Sequence, residues 1–334
     1  GIRCRMARLT INDKDAVPEG FGETLDAGIA ETERIKSKWE NEKISVTAST
    51  IGITYCEPDQ LIELWKWTDE NNRQFDIHAP AVFDQKYLAA RRGWEGGSFE
   101  WLDHVGILGP NVIAAHAQNL RPGEEKLIAD AGASIALVPD MEQVLGLVNF
   151  NARPFLDSNI TCGIGLDGAV VAYGHNMWTA MRGYLTAQRM GDQHRLMMSE
   201  TDIKWTGEEV LYGSAEQALE LATIDGAKAL MMDDKIGSIE TGKEADLVLI
   251  DRTEESHLTP MGSLIASLVY GNGPNQNAIE AVMVHGEVIV KRGQHQTLDH
   301  RKIVERSDQV QEILLDETNA RQYLRKRSRF NWID

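Results

Sequence analysis

Asn111-Val112-Ile113-Ala114-Ala115-His116 is an apolar run that ends on an imidazole, and its reading decides the fold because two other runs share its design. Gln74-Phe75-Asp76-Ile77-His78 also ends on a histidine, and Thr161-Cys162-Gly163-Ile164-Gly165-Leu166-Asp167 ends on a carboxylate. Short apolar runs separated by helical stretches read as buried strands of a parallel sheet. In a closed barrel of alternating strands and helices, all strand C-termini open onto one face, where active sites are built. His78, His116 and Asp167 are therefore expected on that face. Two imidazoles and a carboxylate there suit metal ligation and acid/base work.

Working outward, residues 1–9 and the β-branched stretch 44–53 read as further strands, as does 133–139, which Pro139 stops. The count is six strands, ending near residues 9, 53, 78, 116, 138 and 167. Helices are expected over 21–42, from Pro58, from Pro122, and over 176–190 and 215–231. Eight strands close a (β/α)8 barrel. The expected fold is thus α/β, a TIM-like barrel with about six of eight strands present and two more preceding Gly1 in the intact protein. From Ile236 the pattern changes to short strands at 245–250, 278–284 and 287–290, a separate β layer. The charged stretch 301–326 carries Ile303, Val310, Ile313 and Leu314 and reads as an amphipathic surface helix. The expected units are a barrel over 1–235, a small β-sandwich segment over 236–300 and a helical tail over 301–334.

Composition sets outer limits. The chain has 334 residues, 42% hydrophobic and 25% charged, as in ordinary globular proteins. Its formal charge of −17 argues against nucleic acid or an anionic membrane as partner. No run approaches the roughly 18 apolar residues of a membrane span. Cys4, Cys56 and Cys162 form no CxxC pair or disulfide framework, which points to a reducing, cytoplasmic compartment. Gly163-x-Gly165-x-x-Gly168 matches a dinucleotide fingerprint, but no helix-like stretch follows it and Asp167 would face the phosphate, so no nucleotide cofactor is expected.

The order of these segments resembles the C-terminal two-thirds of an amidohydrolase-superfamily enzyme, in the branch of methylthioadenosine/S-adenosylhomocysteine deaminases, guanine and cytosine deaminases and triazine hydrolases. Ile236-Gly-Ser-Ile-Glu-Thr-Gly-Lys-Glu-Ala-Asp-Leu-Val-Leu-Ile-Asp251 is similar to the phrase with which that family leaves its barrel for a small β-sandwich. Ala281-Val-Met-Val-His-Gly-Glu-Val-Ile-Val290 resembles its closing hairpin, and Leu221-Ala-Thr-Ile-Asp-Gly-Ala-Lys-Ala229 its last barrel helix. The resemblance makes His78 the fifth-strand metal ligand, His116 the sixth-strand histidine near metal and substrate, and Asp167 the eighth-strand aspartate that binds metal and acts as base. It implies one divalent metal, zinc with iron(II) as the alternative, and a small heterocyclic substrate losing an amine or another displaceable group. It also implies a homo-oligomer.

Three positions depart from the family pattern. No His-x-His pair occurs, which places those ligands before Gly1 or on another chain. Ala81 stands where many family deaminases carry a glutamate that protonates a ring nitrogen. No histidine follows the family's fourth strand in Ser49-Thr50-Ile51-Gly52-Ile53-Thr54-Tyr55. The departures leave a second reading, a non-catalytic barrel serving as a binding or assembly subunit. Tyr173, His175 and Asn176, on the loop after Asp167, and Trp94, after the strand ending at His78, are the candidate substrate contacts.

Overall fold

Six strands, β1 (Cys4–Leu9), β2 (Ile44–Gly52), β3 (Phe75–His78), β4 (Val112–Ala115), β5 (Ser134–Leu137) and β6 (Cys162–Ile164), pair in parallel and in chain order in a computed structural model. The structure describes residues 1–13, 17, 20–79, 84–146, 150–169, 174–198, 212–258 and 262–323. Parallel neighbours in sequential order are the wall of a β/α barrel, since each crossover must carry the chain back over the sheet. All six sequence-predicted strands are present within a few residues of their expected ends.

The helices are α1 (Leu25–Trp39), α2 (Pro58–Glu70), α3 (Asp84–Tyr87), α4 (Ser98–His104), α5 (Glu124–Ala131), α6 (Pro139–Val144), α7 (Arg153–Asp157), α8 (Met177–Met198), α9 (Ala215–Ala222), α10 (Ile224–Ala229), α11 (Leu264–Tyr270) and α12 (His300–Glu317). Thr24 caps α1 by accepting from the Ala27 amide at 3.2 Å, and Pro58 opens α2, where a missing amide costs nothing. Phe75, Ile77, Val112, Ala114, Ile135, Leu137 and Cys162 from the strands pack with Leu61, Leu64, Ile128, Phe155, Tyr184 and Leu185 from the helices in one buried cluster. Strand alternation puts Asp76 and His78 on the opposite face of β3 from Phe75 and Ile77. There Arg5 pairs with Asp76 at 2.7 Å. Burial pushes the Asp76 carboxyl up, and the guanidinium pulls it back.

Two helices differ from expectation. The stretch 215–231 breaks at Thr223 (φ −127°, ψ −96°) into α9 and α10. The break lets α10 lie on β6, where Gly163 sits so close to Gly226 that a Cβ would come 2.9 Å from its Cα. Helix α8 runs to Met198, past the expected end at 190, because its inner face continues in polar residues. Gln188 and Asp192 are buried, and Asp192 accepts from Arg153 at 3.0 and 3.2 Å.

The β layer is an antiparallel sheet in the order β10-β9-β8-β7, built from β7 (Leu247–Ile250), β8 (Ile279–Val284), β9 (Glu287–Lys291) and β10 (Gln294–His295). Arg3, the residue before β1, holds it to the barrel through Asp246 at 2.8 Å and Glu244 at 3.3 Å. The tail helix α12 has no buried residue, as a surface helix should, but ends at Glu317. Residues 324–326 of the expected helix lie outside the described residues.

Candidate active site

Adjacent strands bring the two histidines together. In the β3–β4 ladder His78 is level with Ala115, so His116 is the first residue past the end of β4. The two imidazoles stack with centroids 5.0 Å apart and planes 24° from parallel. The His116 amide still bonds to the Ala136 carbonyl at 3.0 Å. At His116 and Ala117 the chain then turns through left-handed conformations (φ 71° and 54°), which β-sheet residues do not adopt. Asp167 lies three residues beyond β6, is also left-handed (φ 57°), and accepts from the Gly168 amide at 2.6 Å. Side-chain residues held in such conformations cost energy and cluster at functional sites.

The tautomer of His78 follows from its partner. Nδ1 is 2.7 Å from the Ile51 carbonyl, which can only accept, so Nδ1 carries the proton and Nε2 keeps its lone pair. Burial is the main force holding the His78 pKa below its ordinary value, with His116 adding to it. A neutral ring with its second nitrogen fixed by a backbone carbonyl is how proteins present a metal-binding imidazole. His116 Nε2 stands 4.0 Å from Asp167 Oδ2, and on the other edge of the ring Nδ1 stands 3.5 Å from Glu142 Oε1.

Glu142, in the first turn of α6, was not anticipated from the sequence. It is 1% exposed, and burial pushes its carboxyl up while His116 pulls it down. Its position after Pro139 reads in sequence as an ordinary acidic residue at a helix start, so no sequence signal marks it.

The other candidates divide. His175 is at the site, its Nε2 2.9 Å from the Asp167 carbonyl. Asn176, a candidate substrate contact, caps the start of α8: its Oδ1 accepts from the Trp178 and Thr179 amides at 3.0 and 3.4 Å. Trp94, also expected at the substrate, stacks on His104 at 4.9 Å and donates to the Gly97 carbonyl at 3.0 Å, because the turn into α4 folds its ring onto the barrel's flank. Tyr173 and Ala81 lie outside the described residues.

His78 Nε2, His116 Nε2 and the Asp167 carboxylate are nitrogen and oxygen donors of the kind zinc takes. They fit a metal in kind. Among the described residues, however, no three His, Cys, Asp or Glu side chains converge closely enough to hold one.

Comparison with known proteins agrees with the barrel. The family model described as "Amidohydrolase family" matches residues 1–289. A 5-methylthioadenosine/S-adenosylhomocysteine deaminase of Desulforamulus reducens is 23% identical over 307 residues, covering 91% of this chain and 65% of that protein. A 5'-deoxyadenosine deaminase of Methanobrevibacter smithii is 28% identical over 263 residues, covering 78% of this chain and 56% of that protein. Among solved structures, an atrazine chlorohydrolase from Arthrobacter aurescens complexed with zinc superposes with a TM-score of 0.80 at 21% identity, over 92% of this chain and 66% of that one. An adenosine deaminase from Xanthomonas campestris with bound zinc gives 0.78 at 20% identity, over 92% and 65%. The chain thus spans about 65% of the length of the first of these curated relatives.

Proposed function

The chain belongs to the amidohydrolase family, and from that premise we propose that the intact protein is a metal-dependent hydrolase that displaces an amine, or another leaving group, from a small nitrogen heterocycle. The observation that carries the reading is the placement of His78, His116 and Asp167 at the ends of β3, β4 and β6, where His116 stacks on His78 and stands 4.0 Å from Asp167, with the Nε2 of His78 left as a free lone pair by the Ile51 carbonyl. Relatives named as deaminases and neighbours complexed with zinc support the reaction class and the metal. Zinc is the proposed ion, with iron(II) as the alternative. The names of the relatives lend nothing to the alternative of a non-catalytic subunit.

His78 and Asp167 would hold the cation, with His116 as a further candidate, together with ligands that this chain does not supply among its described residues. When bound, the cation supplies Lewis acidity and makes a water nucleophilic near neutral pH. Asp167 is placed to take that water's proton and return it to the departing group. His116, between Asp167 and Glu142, presents its Nε2 toward Asp167, where it would bear on the tetrahedral centre formed at the attacked carbon. His175 orders the loop that carries Asp167 through its bond to the Asp167 carbonyl. Tyr173 and Asn176 remain proposed substrate contacts, and Trp94 a weaker one. A cytoplasmic location, homo-oligomeric assembly and the three-part division at residues 235 and 300 belong to the same proposal. Among the described residues no helix is long and apolar enough to cross a membrane.

The test is elemental analysis of the intact protein purified without chelators, beside His78→Ala, followed by a screen for ammonia or chloride release from substituted purines, pyrimidines and triazines. About one zinc or iron per chain, lost in His78→Ala, is expected. Full metal content in His78→Ala would overturn the ligand assignment.

A further inference from the structure

Buried acids elsewhere in this molecule have obvious partners. Glu124 accepts from the Phe99 and Arg121 amides at 2.6 and 2.7 Å, and Asp192 from Arg153 at 3.0 Å. Glu142 is different: it is 1% exposed, and neither carboxyl oxygen has a hydrogen-bond partner among the described residues. Its nearest charged or titratable contact is His116 Nδ1, at 3.5 Å. A buried polar group with so little around it is costly to keep, so a residue at this position calls for a purpose.

The geometry of the two rings supplies one. His78 presents Nδ1 to a fixed acceptor, the Ile51 carbonyl. His116 is stacked on it and presents Nδ1 to Glu142 on one edge and Nε2 to Asp167 on the other. His116 sits past the end of β4 in a left-handed conformation, and α6 delivers the Glu142 carboxylate to 3.5 Å from its Nδ1. Pro139 at the first position of α6 and the bond from the Glu142 amide to the Val138 carbonyl at 3.2 Å fix where that carboxylate stands.

We propose that Glu142 is a positioning residue: by facing the Nδ1–H of His116 as its carboxylate acceptor it fixes that ring's tautomer and orientation, leaving the Nε2 lone pair turned toward Asp167. The geometry stands without the functional reading, and the purpose, presenting a second imidazole nitrogen to a cation or substrate, rests on it. Glu142 touches neither substrate nor metal in this role.

The experiment is nitrogen NMR of the histidine rings in the full chain, metal-free and at a pH where imidazole is neutral, with His116 assigned by the signal lost in His116→Asn. Wild type is expected to show the proton on Nδ1 and an unprotonated Nε2. Glu142→Gln keeps an acceptor oxygen and should preserve that pattern, whereas Glu142→Leu and Glu142→Met should lose the preference. Zinc affinity by chelator competition should fall roughly 10- to 100-fold in the two apolar variants and recover in Glu142→Gln, the range seen when an imidazole's outer partner is removed. A wild-type His116 protonated on Nε2, or an unchanged tautomer in the folded apolar variants, would overturn the proposal. If even the wild type takes up no zinc, the functional reading fails, while the tautomer comparison still decides the role of Glu142.

Discussion

Gly163→Ala tests how closely the strand that leads to Asp167 is held. The added Cβ would lie 2.9 Å from the Gly226 Cα and 3.6 Å from both the Gly226 nitrogen and the Ala229 Cβ. Carbon atoms settle at about 3.5–4.0 Å, so β6 and α10 must part by roughly 0.6 Å or more. The obstructing atom is backbone, which no rotamer change can move. Overpacking of this kind costs about 1–3 kcal/mol, which for a chain of this size is a Tm drop of a few degrees per kcal/mol. Gly262→Ala is the control, because no atom of the described residues lies within 4 Å of its Cβ position. Urea unfolding of both variants, followed by tryptophan fluorescence, measures the difference. A shift of β6 should also move Asp167 relative to His116, and misplacement by about 1 Å can cost on the order of 100-fold in turnover. Gly163→Ala as stable as Gly262→Ala, to within about 0.5 kcal/mol, would refute the packing argument.

Asp167→Asn in the intact protein keeps the side chain's shape and removes its basicity, so kcat should fall by about 10²–10⁴ with little change in stability; full turnover would remove Asp167 as the base. Asp192→Ala leaves Arg153 facing a space that its carboxylate filled at 3.0 Å. A loss of about 3 kcal/mol is expected by chemical denaturation, the low end for a broken buried pair because Arg153 keeps 30% of its side chain exposed. His285 sits between Glu244 and Glu42, and its bond to Glu244 is the main reason that its pKa is raised above 6.5. A raised folded-state value means that the folded protein binds the proton more tightly. This stabilisation is therefore fully present below pH 6.5 and is lost as pH rises through the folded value. Thermal melts across that window should show a shallower decline for His285→Gln than for wild type, and parallel curves would exclude the effect.

The fold was legible where burial writes a period into the sequence. The runs ending at His78, His116 and Asp167 are apolar because both faces of a parallel strand are covered, and all three are strands or end just past one. The last turns of α8 were not legible because their inward positions are the polar Gln188 and Asp192, whose burial is supported by hydrogen bonds, Asp192 accepting from Arg153 and Gln188 accepting from the Ala152 amide. The break at Thr223 was hidden for the opposite reason. Residues 215–231 keep helical composition throughout, and the interruption is imposed by the approach of Gly226 to Gly163, a contact 63 positions away in the chain.

The site divides along the same line. Residues at strand ends were found because the barrel assigns them a common face before any coordinate is known, and register then sets His78 beside His116. Residues that reach the site from a helix carry no such mark. Glu142 lies in a stretch, Pro139-Asp140-Met141-Glu142, that suits any helix start, and only the direction of α6 turns its carboxyl onto His116. Trp94 and Asn176 reach the site region from loops. Their loops belong to the right end of the barrel, but each polar group is taken up locally, the indole by the Gly97 carbonyl and the amide oxygen by the start of α8.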